Sequence, residues 1–277
     1  MQTALLDPLH IAVFSVALIV AGVFAGFIAG LLGVGGGIVV VPALFFILGA
    51  LGVDEAVRMH VSVGTSLATI IVTSLISARS HAARGAVDMA LLRQWTPGII
   101  LGVSAGAGLA LLMDGRTLTG LFASIALVMA VQMAFGNPEW RVSNEPPRGL
   151  VAQAIAAIIG AVSALMGIGG GALSILALSL YGYPIHRAVG TAAAIGSLIG
   201  VPGTIGFILG GWGNPALPPL SLGYVNVLAT LLILPTSMLF APLGAKAAHA
   251  LPVRSLKLAF AVFLAATSVR MFVSILG

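Results

Sequence analysis

Two glycine-rich stretches are the part of this chain whose residue types and spacing suggest chemistry. Gly33-Val34-Gly35-Gly36-Gly37 and Gly167-Ile168-Gly169-Gly170-Gly171 each interrupt a long apolar run. Glycine destabilises a helix by about 1 kcal/mol relative to alanine, so we expect each run to break there. The free N–H groups that start the following helix carry positive partial charge and bind anions without a charged side chain. The pattern therefore predicts a small-anion site formed by Gly35, Gly36, Gly37, Gly169, Gly170 and Gly171.

Polar side chains follow each glycine stretch in a matching block. His60-Val61-Ser62-Val63-Gly64-Thr65 aligns with His186-Arg187-Ala188-Val189-Gly190-Thr191. We predict that Thr65, Ser66 and Thr191 donate to the anion; the alternative is bonding back to carbonyls of their own helix. His60 and His186 lie beside the predicted interface, where we favour a solvated or capping role. Gating or proton carrying is the alternative, because histidine titrates near neutral pH.

Other chemistries find less support in the residues. Gly102-Val103-Ser104-Ala105-Gly106 matches the nucleophile elbow of serine hydrolases, with His81 or His249 as partner, but that motif needs a strand-to-helix turn. We interpret Gly102 and Gly106 as a helix-packing face. The chain has no Cys, and its Asp and Glu residues lie in or beside predicted loops. We therefore predict no metal site, no cofactor and no enzymatic activity.

Composition indicates an integral membrane protein. Of 277 residues, 60% are hydrophobic and 7% are charged, against roughly 25% charged in soluble domains. The mean hydropathy is +1.17, and the apolar runs show helical rather than alternating periodicity. We predict an all-α polytopic fold surrounded by the lipid bilayer. No basic run or aromatic array suggests binding to nucleic acid.

The apolar segments form two sets of five. We predict them at about 11–32, 38–51, 61–78, 95–113 and 117–135, and again at 149–166, 172–183, 188–209, 222–245 and 256–276. Pro97, Gly106, Arg116 and Phe122 each have an identical residue 138 positions later, which indicates duplication. The chain thus divides into a first repeat (1–136), a linker (137–148) and a second repeat (149–277). Segments 38–51 and 172–183 are shorter than the ~20 residues of a crossing, so each is a crossing or a re-entrant arm.

The basic residues predict that the repeats are inverted. If the loop 79–94 is cytoplasmic and each repeat crosses an odd number of times, nine basic residues lie inside and Arg58 and Arg116 outside, with Arg270 unassigned inside the last helix. The nine are Arg79, Arg84, Arg93, Arg141, Arg148, Arg187, Lys246, Arg254 and Lys257. The corresponding loop of the second repeat, Gly210–Ser221, carries no charge, as expected on the opposite side. Both termini are then outside the cytoplasm.

The doubled motif resembles the TauE/SafE family of bacterial-type membrane permeases, described as sulfite or organosulfonate exporters. The resemblance runs from about Phe24 to Met271. The residues that carry it are Gly33, Gly35, Gly36, Gly37, Gly64 and Thr65, and in the second copy Gly167, Gly169, Gly170, Gly171, Gly190 and Thr191. The resemblance implies outward transport of a small sulfur oxyanion or sulfonate across the cytoplasmic membrane.

We therefore predict a secondary transporter for a small anion in a bacterial-type inner membrane. A passive anion channel of the same architecture is the first alternative, and an uptake permease for a metal cation or small metabolite is the second. The many small residues allow close helix contacts, so a homo-oligomer is left open. The identity of the anion, the direction and the coupling ion do not follow from the residues.

Overall fold

The computed structural model describes residues 8–32, 36–136, 140–143, 147–250 and 253–276. In these ranges the chain is almost entirely helical, with one short hairpin. The helices are α1 (Pro8–Leu32), α2 (Gly37–Ala50), α3 (Glu55–Ala82), α4 (Met89–Leu112), α5 (Gly115–Phe135), α6 (Gly149–Met166), α7 (Gly171–Leu180), α8 (Ile185–Gly210), α9 (Val227–Ala250) and α10 (Val253–Leu276); the strands are β1 (Ser221–Leu222) and β2 (Val225–Asn226). Seven helices in the described ranges are long and apolar enough to cross a membrane. The predicted all-α polytopic fold is confirmed.

Aspartates start three of the long helices. Asp54, Asp88 and Asp114 are the N-cap residues of α3, α4 and α5, and each accepts a hydrogen bond from a backbone N–H of the first turn. Such caps satisfy N–H groups that have no partner within the helix. In the described part of the chain no Asp, Glu, Lys or Arg is buried. Within the described residues, the buried part of the bundle therefore contains no carboxylate that would repel an anion.

The central helices α3 and α8 occupy equivalent places in the two repeats and run antiparallel. Gly64 of α3 lies against Phe207 of α8, whereas Ser74, ten residues later in α3, lies against Gly196. Moving forward along one helix thus means moving backward along the other. Equivalent helices that run in opposite directions are what an inverted repeat requires.

The helices α5 and α10 repeat this relation. Gly120 of α5 faces Ile275 near the end of α10. The Ser268 hydroxyl, earlier in α10, donates a 2.6 Å hydrogen bond to the carbonyl oxygen of Ala123. This pair is also antiparallel, so the inverted repeat predicted from the basic residues is confirmed.

Glycines set the close packing of α4 on α6. Gly102 and Gly106 of α4 lie against the backbone of Ala157 and Ala161 of α6, and a Cβ at either glycine would overlap a carbonyl oxygen. These two helices run parallel, and α1 packs on α9 in the same way. Ser104, the centre of the elbow-like motif, is an exposed helical residue. The helix-packing interpretation of the motif is confirmed.

The short helix α7 is a re-entrant arm. Helix α4 is parallel both to α6 and to α8, where Gly203 lies near Val103 and Gly210 near Leu111. The chain must therefore return between α6 and α8, and α7 is the return. Its 10 residues cover about 15 Å, half of the ~30 Å hydrocarbon core. Its counterpart α2 has 14 residues, or about 21 Å.

Charged contacts mark the two ends of the bundle. At one end the Arg187 guanidinium lies 2.9 Å from the Asp88 carboxylate, which joins the start of α8 to the start of α4. At the other end Arg116 lies 3.1 Å from Glu55. We call the first end the basic face, because the α3–α4 loop and the adjoining helix ends carry Arg79, Arg84, Arg93 and Arg187 there.

Candidate functional site

The start of α2 lies against the second glycine stretch, just before the start of α7. Gly36 is the N-cap of α2 and Gly170 is the N-cap of α7, and neither start has a side-chain cap. A Cβ on Gly37 would overlap the carbonyl oxygen of Gly167 and lie 3.1 Å from the Cα of Ile168. Gly35 lies outside the described residues. Gly37 of the first stretch thus lies directly against the second stretch, whereas the nearest neighbours of a Cβ on Gly36 are Ala25 and Ala29 of α1.

The meeting point is at mid-depth. The Ser66 hydroxyl, near the middle of α3, donates a 2.7 Å hydrogen bond to the carbonyl oxygen of Gly167. Gly169 lies near Gly196, in the middle of α8. The Ile70 side chain of α3 contacts both glycine stretches, reaching the positions of a Cβ on Gly37 and on Gly169. Helix N-termini at this depth carry positive partial charge in a medium of low dielectric.

The glycines differ in what they tolerate. Gly170 has φ +69°, a left-handed conformation, and a Cβ there would overlap the Ile199 side chain. Side chains other than glycine rarely adopt this conformation. Gly36 has a helical φ of −70°, and a Cβ there would have its nearest neighbour at 3.7 Å, an ordinary contact. The backbone conformation and the close packing at Gly170 therefore require glycine, whereas the position of Gly36 can accept a larger residue.

Two hydroxyls that the sequence analysis missed lie at the start of α7. Ser163 and Ser174 are fully buried, and among the described residues neither hydroxyl has a hydrogen-bond partner. Ser163 Oγ is 3.3 Å from the position of a Cβ on Gly170, and Ser174 belongs to the first turn of α7. A buried hydroxyl without a partner costs about 1–3 kcal/mol. A ligand at the uncapped helix start would remove that cost.

The repeat-matched threonines have matching partners in the opposite repeat. Thr65 Oγ1 accepts a 2.9 Å hydrogen bond from the backbone N–H of Asn226, and Thr191 Oγ1 accepts one of the same length from Asp88. Asp88 and Asn226 are 138 residues apart, the spacing of the duplication, and begin α4 and α9. Each threonine thus fixes a helix start by accepting, which leaves its own proton for a second bond. Donation to an anion remains a prediction.

The matched histidines lie in unlike surroundings. His60 is 3% exposed, so of the solvated or capping role that we favoured the solvated part is wrong, while its contact with a carbonyl group in the last turn of α4 fits capping. Its Nε2 lies 3.0 Å from the carbonyl oxygen of Ala110, and its ring lies against Tyr224 with centroids 4.9 Å apart. His186, in contrast, is exposed at the start of α8. A gating or proton-carrying role for either histidine remains a prediction.

Asp88 is the polar centre of the basic face. Burial raises the pKa of its carboxyl group, but hydrogen bonds from Tyr183 and Leu91 and the charge of Arg187 outweigh burial, and the pKa is lowered overall. Partial burial and the bond to Asp88 raise the pKa of Tyr183 to about 12. The carboxylate therefore stays ionised at neutral pH, where it caps α4 and neutralises Arg187.

The comparisons with known proteins agree with this geometry. Residues 18–271 match the family described as sulfite exporter TauE/SafE. The chain belongs to the TauE/SafE family. This membership covers both glycine stretches and both repeats, and it confirms the resemblance drawn from the doubled motif. As a TauE/SafE protein the chain is a multi-pass membrane transporter.

Curated relatives of this TauE/SafE chain carry similar descriptions. A probable membrane transporter protein of Haemophilus influenzae is 36% identical over 259 residues, which cover 94% of this chain and 98% of the relative. A probable membrane transporter protein of Methanocaldococcus jannaschii is 28% identical, over 76% of this chain and 77% of the relative. The probable membrane transporter protein YunE of Bacillus subtilis is 27% identical, over 83% and 87%. No solved structure matches the chain significantly.

Proposed function

We propose that this protein is a secondary transporter that moves a small sulfur anion, sulfite or an organosulfonate, outward across the cytoplasmic membrane. The observation that carries the proposal is the contact at mid-depth between the uncapped start of α2 and the second glycine stretch, immediately before the uncapped start of α7. Discontinuous helices whose N-termini point at an anionic group are the recurrent binding device of transporters with inverted repeats. The family description as sulfite exporters supports the sulfur anion and the outward direction.

The anion is held by neutral groups. The Ser163 hydroxyl lies beside the start of α7 and Ser174 belongs to its first turn, and neither hydroxyl has a partner among the described residues. Thr65 and Thr191 on α3 and α8 each keep a proton to donate, whereas the Ser66 proton is already donated to the Gly167 carbonyl oxygen. No buried carboxylate competes with the ligand in the described part of the chain. A neutral site compensates for the lost hydration of the anion yet still releases it, because no fixed cation holds it there.

The inverted repeat supports alternating access. Helix α3 contacts both glycine stretches through Ile70, and helix α8 contacts the second stretch at Gly196. The two helices are antiparallel and belong to different repeats. Rocking of one repeat against the other exposes a site between them first to one face and then to the other. A passive channel, the first alternative, requires a continuous path and no such exchange.

Flux in proteoliposomes tests the proposal. We expect radiolabelled sulfite to cross in a saturable manner, because a carrier turns over one bound anion at a time. We also expect the rate of a secondary transporter to change when a proton gradient is imposed. The control is liposomes without protein under the same gradient. A flux that rises linearly with sulfite concentration and ignores the gradient would contradict the transporter and support the channel.

Cysteine labelling tests the orientation. We expect Ala83→Cys in the α3–α4 loop to be protected from an impermeant thiol reagent in intact cells, and Ala216→Cys in the α8–α9 loop to be labelled. Both side chains are exposed, and the chain has no native Cys to interfere. The excess of basic residues supports a cytoplasmic location for the first loop, and inversion of the repeats then predicts that the second loop is outside. The reverse pattern would overturn the orientation, and permeabilised cells serve as the control for reactivity.

A further inference from the structure

A cavity of about 350 Å³ opens at the basic face between the end of α3 and the start of α8, and its lining contains three basic side chains. It is lined by His81, Arg84, Ala86, His186 and Val189. We propose that this cavity is a second anion-binding site, which receives a sulfonate or similar oxyanion before the anion reaches the glycine stretches. Binding in the cavity stands on its own residues, and the loading role rests on the proposed function.

The lining carries the Arg84 guanidinium and two imidazole rings and contains no acidic group. Arg84 has no ion pair in the described part of the chain, and no Asp or Glu lines the cavity. The neighbouring Arg187 is different, because Asp88 neutralises it at 2.9 Å. An arginine without a carboxylate partner presents donors that match the geometry of an oxyanion. The volume is at the lower end of the roughly 300–1,000 Å³ of small-molecule sites.

Contacts with α8 hold the loop wall of the cavity in place. The turn after α3 closes with hydrogen bonds from Gly85 N–H to Ala82 and from Ala86 N–H to His81, of 2.9 and 3.0 Å. Gly190 of α8 lies against the carbonyl group of Ala86, and a Cβ there would overlap it. The bond from Asp88 N–H to Thr191, described above, fixes the far end of the same loop. Arg84 is thus presented from a short loop anchored at both ends.

The cavity lies on the axis of the glycine site. His186 precedes Gly196, which contacts the second glycine stretch, by ten residues of α8, or about 15 Å of helix. His81 follows Ile70, which contacts both stretches, by 11 residues of α3, again about 16 Å. Measured along either helix, the distance between the cavity and the glycine stretches is therefore about the same. The cavity and the glycine stretches thus lie along the same pair of helices, about 15 Å apart.

The opposite end of the bundle is filled at the equivalent place. Ala86 and Tyr224 are 138 residues apart, the spacing of the duplication. Tyr224 packs against His60, whereas Ala86 leaves open the space beside His186, the repeat partner of His60. The two ends differ in access because a tyrosine ring stands where the other repeat has a methyl group. Loading from the basic face matches outward transport.

A local reporter tests the cavity separately from transport. We label Ala83→Cys with an environment-sensitive dye on purified protein and titrate with ethanesulfonate at constant ionic strength, using chloride as the comparison anion. We expect a saturable signal with ethanesulfonate. Arg84→Gln is expected to raise the dissociation constant about tenfold or more, because charge-assisted hydrogen bonds are roughly twice as strong as neutral ones. His186→Gln, which moves the N–H donor, is expected to raise it by a smaller factor. The control Arg93→Gln, an exposed arginine at the same face, is expected to change it less than about twofold.

Two outcomes would overturn the inference. Arg84→Gln and His186→Gln that bind ethanesulfonate as the parent does would show that the cavity holds no anion. An equal loss in Arg93→Gln would show that only the overall field of the basic face acts. The Gly170→Ala background separates this inference from the proposed function, since the cavity signal is expected to survive there. Cavity binding in a parent protein that fails to transport would support the second site while the proposed function falls.

Discussion

Gly170→Ala is expected to lower the affinity for ethanesulfonate by about tenfold or more, since ~1.4 kcal/mol corresponds to a factor of ten. Gly36→Ala is expected to leave it nearly unchanged. Alanine at the left-handed Gly170 costs about 1–2 kcal/mol in conformation, and its methyl group overlaps the Ile199 side chain. The first turn of α7 must shift, and its N–H groups move away from the anion. At Gly36 the methyl group has room.

Affinity per folded molecule is the measurement that decides. Both variants are purified as monodisperse protein, and binding at the glycine site is read by calorimetry in the Arg84→Gln background, in which the cavity binds the anion at least about tenfold more weakly. A stability loss alone does not lower the affinity of the molecules that remain folded, so the thermal midpoint is recorded in parallel. Unchanged affinity in Gly170→Ala would refute the half-helix site, and an equal loss in Gly36→Ala would refute the local geometric explanation.

Ser163→Ala and Ser174→Ala are expected to weaken anion binding without weakening the fold. A hydrogen bond to a charged ligand contributes about 1.5–3 kcal/mol, so each variant is expected to lose roughly ten- to hundredfold in affinity. The thermal midpoint is expected to stay or to rise, because each substitution removes a buried hydroxyl that has no partner among the described residues. Combined loss of affinity and retained stability is the signature of a ligand contact.

Ser268→Ala is the matched control for these serines. Ser268 is also fully buried, but its hydroxyl donates to the carbonyl oxygen of Ala123 between α5 and α10. Its removal is expected to cost about 1 kcal/mol of stability and to leave anion affinity unchanged. If Ser163→Ala and Ser174→Ala behave like Ser268→Ala, these hydroxyls serve the fold and not the anion.

Composition and charge were enough to predict the architecture. Apolar runs with few charges require membrane helices, because the bilayer core offers no water to backbone groups. The contrast between the basic loop 79–94 and the uncharged Gly210–Ser221 predicted inversion before any helix direction was known. The antiparallel packing of Gly64 on Phe207 and of Ser74 on Gly196 then agreed. The helices and their orientation can be predicted from the sequence because both depend on the local residues and on the bilayer.

Length and residue type left other questions open. A segment of 10 or 14 residues fits a crossing or an arm, and only the parallel directions of α4, α6 and α8 made α7 the return. Serine in an apolar helix commonly bonds back to its own carbonyls. That Ser163 and Ser174 do not, and that they lie at the start of α7, follows from how α6 and α7 pack.

His60 and His186 show most directly why sequence alone does not determine the surroundings of a side chain. His60 and His186 occupy matching positions in sequence, so any pattern assigns them one role. Tyr224 buries His60, whereas Ala86 leaves His186 at an open cavity beside Arg84. In both cases the neighbours belong to a loop of the opposite repeat: Tyr224 for His60, and Arg84 and Ala86 for His186. Local sequence sets which segments become helices, but burial and hydrogen bonding depend on neighbours distant in the chain, and those neighbours are assigned only when the helices pack.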